Sequence, residues 1–264
     1  MSSIKNKVVW VTGATSGIGE AIVDELASHG AKIIISARRE DELKRVAEKY
    51  KSADVFILPL DLGDQSNFEE KKNIVLQKFG RIDILVNNGG ISQRSLVKDT
   101  SVDVDRRIME INYFGTIALT KVVLPQFLKQ GNGKFVVTSS TVGKIGTPYR
   151  SGYSASKHAL HGFFDSLRAE LHDSGISVLL VCPGFIQTNI SMNALTGSGE
   201  KLGTMDKATA AGLTPKQCAK QIIDGIITNK QEIVVGGMKE KFAIITKRFF
   251  PSFFSVLIRK MAVK

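Results

Sequence analysis

The chain has 264 residues, 43% of them hydrophobic, and a formal net charge of +11. This length and composition allow one domain with a substantial core, while two cysteines and no apolar run near the roughly 20 residues of a membrane span argue against a disulfide framework and a spanning helix. The basic excess could suit nucleic acid, but it is concentrated in residues 239–264 and no recognition motif accompanies it, so we expect no nucleic-acid partner.

Short runs rich in β-branched residues alternate with longer amphipathic segments along the chain. The runs are continuously apolar, which is typical of strands in a sheet that is covered on both faces. Alternation of this kind predicts a single α/β domain with a doubly wound, mostly parallel seven-stranded sheet flanked by helices on both faces. The predicted strands are 7–12, 31–37, 54–60, 81–88, 133–140, 176–183 and 231–237, and the predicted helices are 17–29, 40–50, 66–79, 103–129, 153–173 and 215–228.

A glycine-rich turn, TGATSGIGEA, joins the first predicted strand to the first predicted helix. Gly13, Gly17 and Gly19 would let the chain turn tightly, approach a pyrophosphate and pack the helix on the strand, with the helix N-terminus facing the anion. Because the turn occupies this junction, it predicts dinucleotide binding in preference to a purely structural turn. Thr15, Ser16 and Ile18 of the same motif are also predicted to bind the cofactor.

The end of the second strand, SARRED, indicates which dinucleotide binds. An NAD-type site would place an acidic residue here to hold the ribose hydroxyls, whereas this sequence has Arg38 and Arg39. A guanidinium suits a phosphate, so the sequence predicts NADP(H) over NAD(H) as the cofactor. The alternative is that the two arginines are solvated and pair with Glu40 or Asp41.

The third and fourth strands end in PLDL and VNNGG, at the sheet edge where such folds bind ligands. Asp61 could accept a hydrogen bond from an adenine amine beside the Leu62 backbone. Asn88 and Gly89 could bring the chain close to the adenosine ribose. Each of these residues is equally compatible with ordinary turn chemistry.

The predicted helix 153–173 carries two pairs of titratable side chains on common faces. Tyr153 and Lys157 stand at i and i+4, where an ammonium would stabilise a phenolate and lower the phenol pKa from about 10 toward neutrality. By itself such a pair is more often structural. His158 and His161 stand at i and i+3, but no acid or thiol cluster joins them, and we expect no metal.

Residues 187–213 follow the sixth strand with small and polar residues and no strand pattern. A segment of this length is more often a functional lid than a passive surface excursion. We therefore expect residues 187–213 to form a lid over the ligand site.

Several motifs occur together in the order typical of one enzyme family. They are the glycine turn, NNGG at 87–90, Asn112 in INYFG, Ser140 in VVTSS, YSASK at 153–157 and PGFIQT at 183–188. As far as about residue 236 the chain resembles the short-chain dehydrogenase/reductase family, and its lid and basic aromatic tail most resemble the branch named dehydrogenase/reductase member 7. Gly89 stands where the family usually has alanine, from which we expect looser packing.

The resemblance implies roles for four catalytic residues. Tyr153 would exchange the proton, Lys157 would support it and bond the nicotinamide ribose, and Ser140 would hold the substrate oxygen. Asn112 would position a water that relays protons. Thr138 and Ser139 are rivals for the Ser140 role, although strand alternation favours Ser140. The further implied cofactor contacts are Pro183, Gly184, Ile186 and Thr188.

The resemblance also implies a Rossmann-type enzyme that interconverts a carbonyl and an alcohol with NADP(H), reducing an apolar ketone or aldehyde. The alternative is a catalytically silent NADP(H)-binding protein with a regulatory or membrane-associated role. Family habit implies a homodimer or homotetramer. The N-terminal residues lack the pattern of a signal peptide, so we expect a cytoplasmic location, with or without peripheral contact to a membrane.

A basic aromatic tail, 237–264, follows the predicted domain 1–236. It interleaves aromatic and basic residues around Pro251, so a helix broken there could lie at a membrane interface through residues 239–264. It could equally fold over the substrate cleft or pack on a partner subunit, and the sequence leaves these possibilities open.

Overall fold

The structure, a computed structural model, describes residues 3–50 and 53–260. Its centre is a seven-stranded sheet in the order β3-β2-β1-β4-β5-β6-β7, and every neighbouring pair of strands is parallel. The predicted doubly wound α/β fold is therefore confirmed. The strands are β1 (Val8–Thr12), β2 (Lys32–Ser36), β3 (Asp54–Ile57), β4 (Ile84–Asn87), β5 (Gly133–Thr138), β6 (Ile176–Pro183) and β7 (Glu232–Val235).

Helices connect the strands and cover the sheet. They are α1 (Gly17–Ser28), α2 (Glu40–Glu48), α3 (Phe68–Phe79), α4 (Val102–Met109), α5 (Gly115–Gln130), α6 (Ser151–Glu170), α7 (Lys207–Ala210), α8 (Pro215–Ile227), α9 (Met238–Phe249) and α10 (Pro251–Lys260). The predicted helix 103–129 is divided, because a π-helical turn, Glu110–Phe114, separates α4 from α5. The segment 187–213 is irregular apart from α7, as its lack of strand pattern predicts.

Successive residues of the central strands pack on opposite faces of the sheet. In β1, Val9 and Val11 pack in a core with α1, α2 and α8, whereas Val8 and Trp10 pack in a second core with α3, α5 and α6. The Trp10 indole donates to Ser36 Oγ at 2.8 Å, so its buried N–H is satisfied. Burial on both faces explains why the strands are continuously apolar.

The strand order reverses between β1 and β4 at the centre of the sheet. From β1 the sheet continues outward through β2 and β3 on one side, and from β4 through β5, β6 and β7 on the other. In open parallel sheets, such a reversal leaves a crevice beyond the carboxyl ends of the two strands. The loops that follow β1, β4 and β5 therefore meet at one edge.

The basic aromatic tail begins as two helices, α9 and α10, that meet at Pro251. Proline is favoured at the first position of a helix, so the predicted break at this residue is confirmed. Ala243 and Phe254 are buried against Ile145, while much of the remaining apolar surface of the two helices is exposed. No helix among the described residues is long and apolar enough to cross a membrane. Residues 261–264 of the predicted tail lie outside the described residues.

Candidate active site

A cleft of about 1100 Å³ opens at the carboxyl edge of the sheet. It exceeds the usual range of small-ligand sites, roughly 300–1000 Å³, and so has room for a dinucleotide and a second ligand. Apart from Gly19 and Asn112, all the predicted site residues line it. Those residues are Gly13, Thr15, Ser16, Gly17, Ile18, Arg38, Arg39, Asp61, Leu62, Asn88, Gly89, Ser140, Tyr153, Lys157, Pro183, Gly184, Ile186 and Thr188.

The glycine turn fits the close approach of a phosphate. Gly13 and Gly17 have φ of +65° and +57°, in the left-handed region that favours glycine. A Cβ added at Gly19 would lie 2.1 Å from the Gly13 carbonyl oxygen, so Gly19 packs helix against turn without lining the cleft. The N-cap Ser16 makes no side-chain capping bond, which leaves the first amides of α1 free for an anion.

Asn88 ties this turn to the neighbouring strands. Its Nδ2 donates to the carbonyl oxygens of Thr12 and Gly13, at 3.2 and 3.3 Å, and its Oδ1 accepts from Thr138 Oγ1 at 3.3 Å. Asn88 therefore fixes the ends of β1, β4 and β5 relative to one another. On the opposite side of the turn, Thr188 Cγ2 lies 2.8 Å from where a Cβ of Gly17 would be.

Three arginines line the cleft beyond the end of β2. Neither Arg38 nor Arg39 forms an ion pair with another described residue, and Glu40 pairs instead with Lys44 at 2.9 Å. The alternative pairing with Glu40 or Asp41 is thus not formed. Arg107 of α4 lines the same cleft.

Sequence reasoning missed Arg107, because only the fold brings α4 to the end of β2. Across from these arginines, Asp61 Oδ1 accepts from the Gly63 amide at 2.9 Å. Asp61 therefore performs ordinary turn chemistry while also lining the cleft.

The hydroxyl groups of Thr138, Ser139 and Ser140, at the end of β5, have different partners, and that of Thr138 donates to Asn88 Oδ1. Ser139 Oγ lies 3.0 Å from His161 Nε2 and is directed toward α6. Ser140 Oγ donates to the Pro183 carbonyl oxygen at 3.2 Å, and the Ser140 hydroxyl also hydrogen-bonds to Tyr153. As strand alternation predicts, the side chains of Ser139 and Ser140 therefore point in different directions.

Burial dominates the electrostatics of Tyr153 and Lys157. Removal from water raises the pKa of the Tyr153 phenol, against the lowering effects of Arg94, the Ser140 hydrogen bond and Arg150. Burial also lowers the pKa of Lys157 to about 8. The Lys157 ammonium donates to the Thr138 carbonyl oxygen at 2.8 Å. The expectation that Lys157 lowers the pKa of Tyr153 is therefore wrong. Burial raises this pKa, and the cations that oppose the rise are Arg94 and Arg150.

Asn112 lies behind the cleft wall, in the π-helical turn between α4 and α5. Its Oδ1 accepts from the Ile91 amide at 2.8 Å, and its Nδ2 donates to the Ile91 carbonyl oxygen and to Ser156 Oγ, at 2.9 and 3.0 Å. A Cβ added at Gly90 would lie 3.0 Å from Asn112 Oδ1 and 3.6 Å from Lys157 Nζ. Asn112 thus joins the strand end to α6 near Lys157.

The packing around Gly89 is tighter than expected. A Cβ added at this position would lie 2.6 Å from Leu62 Cδ1. The Leu62 side chain therefore occupies the space that an alanine methyl group would need. The expectation of looser packing at Gly89 is wrong for this reason.

The structure also brings together three charged residues that sequence reasoning did not select. Arg94 and Arg150 line the cleft, and both pair with Asp206, at 2.7 and 3.0 Å. Asp206 belongs to the segment 187–213, which itself contributes several lining residues, including Asn189, Ile190 and Lys201. No local signal marks these three residues, because their only relation is spatial.

Comparisons with known proteins agree with this geometry. A family model described as short chain dehydrogenase matches residues 7–198. A Drosophila melanogaster protein named dehydrogenase/reductase SDR family protein 7-like is 42% identical over 100% of this chain and 82% of its own length. The human dehydrogenase/reductase SDR family member 7 is 42% identical over 99% of this chain and 79% of its own length.

Solved structures share the fold. A short-chain dehydrogenase/reductase from Burkholderia phymatum, in complex with NAD, superposes with a TM-score of 0.84 at 22% identity and 97% coverage of both chains. An alcohol dehydrogenase from Thermococcus sibiricus, complexed with 5-hydroxy-NADP, gives 0.75 at 25% identity, covering 89% of this chain and 97% of its own. The predicted resemblance is confirmed: the chain belongs to the short-chain dehydrogenase/reductase family and is similar to members named dehydrogenase/reductase member 7.

Proposed function

We propose that the protein is an NADP(H)-dependent oxidoreductase that interconverts a carbonyl and an alcohol and reduces an apolar ketone or aldehyde. This proposal rests on the set of residues that line one cleft. It holds the glycine turn at one side, Arg38 and Arg39 beyond β2, and Ser140, Tyr153 and Lys157 on the far side of the strand reversal. A phosphate-rich dinucleotide and a carbonyl substrate could then occupy the cleft together.

The cofactor-binding roles follow from the chemistry of the lining residues. The uncapped amides of α1 would hold the pyrophosphate, and Arg38 and Arg39 the ribose phosphate. Asp61 would accept from the adenine amine, and Lys157 would bond the nicotinamide ribose. The PGFIQT loop after β6, with Ile186 and Thr188, would contact the carboxamide.

The nicotinamide, when bound, supplies the hydride. In the reducing direction the Tyr153 hydroxyl donates its proton to the substrate oxygen, and Ser140 donates a hydrogen bond to the same oxygen. A raised pKa keeps Tyr153 protonated at neutral pH, as a proton donor requires. The charges of Arg94 and Arg150 would then stabilise the phenolate that proton transfer leaves behind.

The preference for NADP(H) is supported by the unpaired guanidinium groups. Arg38, Arg39 and Arg107 line the cleft without an ion pair to any other described residue, so their charge is available to a phosphate. The two solved structures compared above contain NAD in one case and an NADP derivative in the other, so the proposed preference rests on these arginines.

A fluorescence titration with NADPH and NADH tests the cofactor proposal. Arg38→Ser should weaken NADPH binding by roughly tenfold or more and leave NADH binding nearly unchanged, because only NADPH carries the extra phosphate. Lys129→Ser is the control for charge, since Lys129 is exposed near the end of α5. Equal weakening of both nucleotides by Arg38→Ser would argue against a phosphate-binding role.

The tail 237–264 is proposed as a distinct segment that contacts a membrane surface peripherally. Phe249, Phe250 and Phe253 are 70%, 64% and 60% exposed, and exposed basic residues lie among them. Aromatic side chains with a basic rim suit an interface of anionic lipids. The opposite side of α9 contributes Lys239, Glu240 and Ala243 to the cleft, so membrane contact and cleft covering involve different faces.

A further inference from the structure

Two buried arginines in the cleft share one carboxylate. Asp206 Oδ2 accepts hydrogen bonds from Arg94 Nε at 2.8 Å and from Arg150 Nη2 at 3.0 Å, and it lies 2.7 Å from Arg94 Nη2 in an ion pair. The side chains of Arg94, Asp206 and Arg150 are 9%, 7% and 4% exposed. The cluster therefore holds one more positive charge than negative charge, away from bulk water.

The two arginines differ in how many of their donors are used. Nη1 of Arg94 donates to Ser92 Oγ and to the Gln93 carbonyl oxygen, both at 2.7 Å, so every nitrogen of this guanidinium is engaged. Within residues 3–50 and 53–260, the Arg150 guanidinium makes a single hydrogen bond, through Nη2. Its Nε and Nη1 make no hydrogen bond to a described residue and are not fully buried, and Arg150 lines the cleft.

The surroundings of Arg150 combine apolar walls with the predicted reacting groups. The Phe185 ring centroid lies 5.8 Å from Arg150 Cζ, a cation–π distance that restricts the guanidinium. Tyr153 and Ser140 line the same cleft, and Arg150 is close enough to Tyr153 for its charge to act on the phenol. Further apolar walls come from Ile145, Ile190 and Leu195.

We propose that Arg150 binds a substrate carboxylate, and that the substrate is an oxo acid, or the matching hydroxy acid, with an apolar skeleton between its two functional groups. This inference rests on the proposed carbonyl–alcohol activity. Each remaining N–H group of Arg150 can donate a charge-assisted hydrogen bond to a carboxylate oxygen, and a second carboxylate would neutralise the excess charge of the cluster. Arg94 and Asp206 then hold Arg150 in place. Burial and the neighbouring Arg94 lower the pKa of Arg150 to about 10, so it remains protonated at neutral pH.

A series of oxo acids and their methyl esters tests the proposal, with the carbonyl-to-carboxylate separation varied and NADPH oxidation followed. For at least one separation, the wild type should prefer the acid over its ester by roughly ten- to a hundredfold in kcat/KM, mainly through KM. Arg150→Met should remove the preference and Arg150→Lys should retain part of it. Lys201→Met, which removes another cation that lines the cleft, should leave it intact.

Equal use of acid and ester by the wild type at every separation would overturn the proposal, and this comparison needs no variant to fold. A preference that survives in Arg150→Met would also overturn it. Calorimetric titration of the NADPH complex with saturated acids that lack a ketone or aldehyde group tests the carboxylate site independently of the proposed activity. Arg150-dependent acid binding without reduction of any carbonyl would support the carboxylate site and contradict the proposed activity. Reduction of carbonyls without a preference for the acid would support the proposed activity and contradict the carboxylate site.

Discussion

Lys157 is a buried cation whose position costs stability. Burial lowers its pKa from the ordinary 10.5 to about 8, although the ammonium donates a hydrogen bond to the Thr138 carbonyl oxygen. Between pH 8 and 10.5 the unfolded chain holds a proton that the folded chain does not. Stability should therefore rise with pH through this window, and the cost should be largest below pH 8.

Replacing this residue separates stability from activity. Lys157→Met should raise the free energy of unfolding at pH 7 by about 2 kcal/mol, because a buried ammonium is exchanged for an apolar side chain, while turnover is lost. Urea denaturation at pH 7 and pH 10.5 measures the effect, which should nearly vanish at the higher pH. Lys129→Met, at an exposed position, should not change the free energy of unfolding at either pH. A Lys157→Met protein less stable than the wild type at pH 7 would contradict this interpretation.

The glycines differ in the space around them, which gives a second residue-scale prediction. A Cβ at Gly19 would meet the Gly13 carbonyl oxygen at 2.1 Å, whereas a Cβ at Gly162 in α6 would meet nothing within 4 Å. Gly19→Ala should lower the free energy of unfolding by about 2 kcal/mol and weaken NADPH binding at least tenfold. Gly162→Ala should raise the free energy of unfolding by roughly 0.5–1 kcal/mol, because alanine has a higher helix propensity than glycine. Thermal unfolding and NADPH titration of both variants measure these changes, and equal stability of the two would refute the packing argument.

Among the elements, the segment 103–129 shows how a local pattern can miss a functional detail. Its length and amphipathicity predict one helix, and most of it is helical, as α4 and α5. The π-helical turn between them lets the buried Asn112 reach Ile91 and Ser156. Such turns are frequent at functional sites, but the extra residue per turn is dictated by these tertiary hydrogen bonds and leaves no periodic signal.

The tail helices α9 and α10 give a prediction at the scale of elements. The double variant Phe250→Ser, Phe253→Ser should bind vesicles of anionic lipid at least about tenfold more weakly than the wild type, because two exposed aromatic rings no longer enter the interface. Co-sedimentation with such vesicles measures the binding. Leu128→Ser removes an exposed apolar side chain from α5 and should have no effect. Equal binding by the double variant, or none by the wild type, would favour packing of this face on a partner subunit.

For the molecule as a whole, the fold was predictable because its signals are local. Each apolar run and each glycine turn can be recognised within about a dozen residues, and the parallel sheet then brings their ends to one edge. The charge environment was not predictable in the same way. Arg94, Arg150 and Asp206 lie in three separate loops, and only the folded chain places two of them in the cleft beside Tyr153. Their effect on the phenol, and the dominant effect of burial, depend on that arrangement.

We propose that Tyr153 donates the proton that accompanies hydride transfer in this cleft. The most direct measurement compares wild type and Tyr153→Phe for NADPH binding and for NADPH oxidation with a panel of ketones, aldehydes and oxo acids. Tyr153→Phe should bind NADPH with nearly the wild-type affinity and lose turnover by roughly a hundredfold or more, because the substrate oxygen no longer receives a proton. Undiminished turnover in Tyr153→Phe would contradict the proton-donor role, and NADPH binding by the wild type with no carbonyl in the panel reduced would contradict the proposed activity.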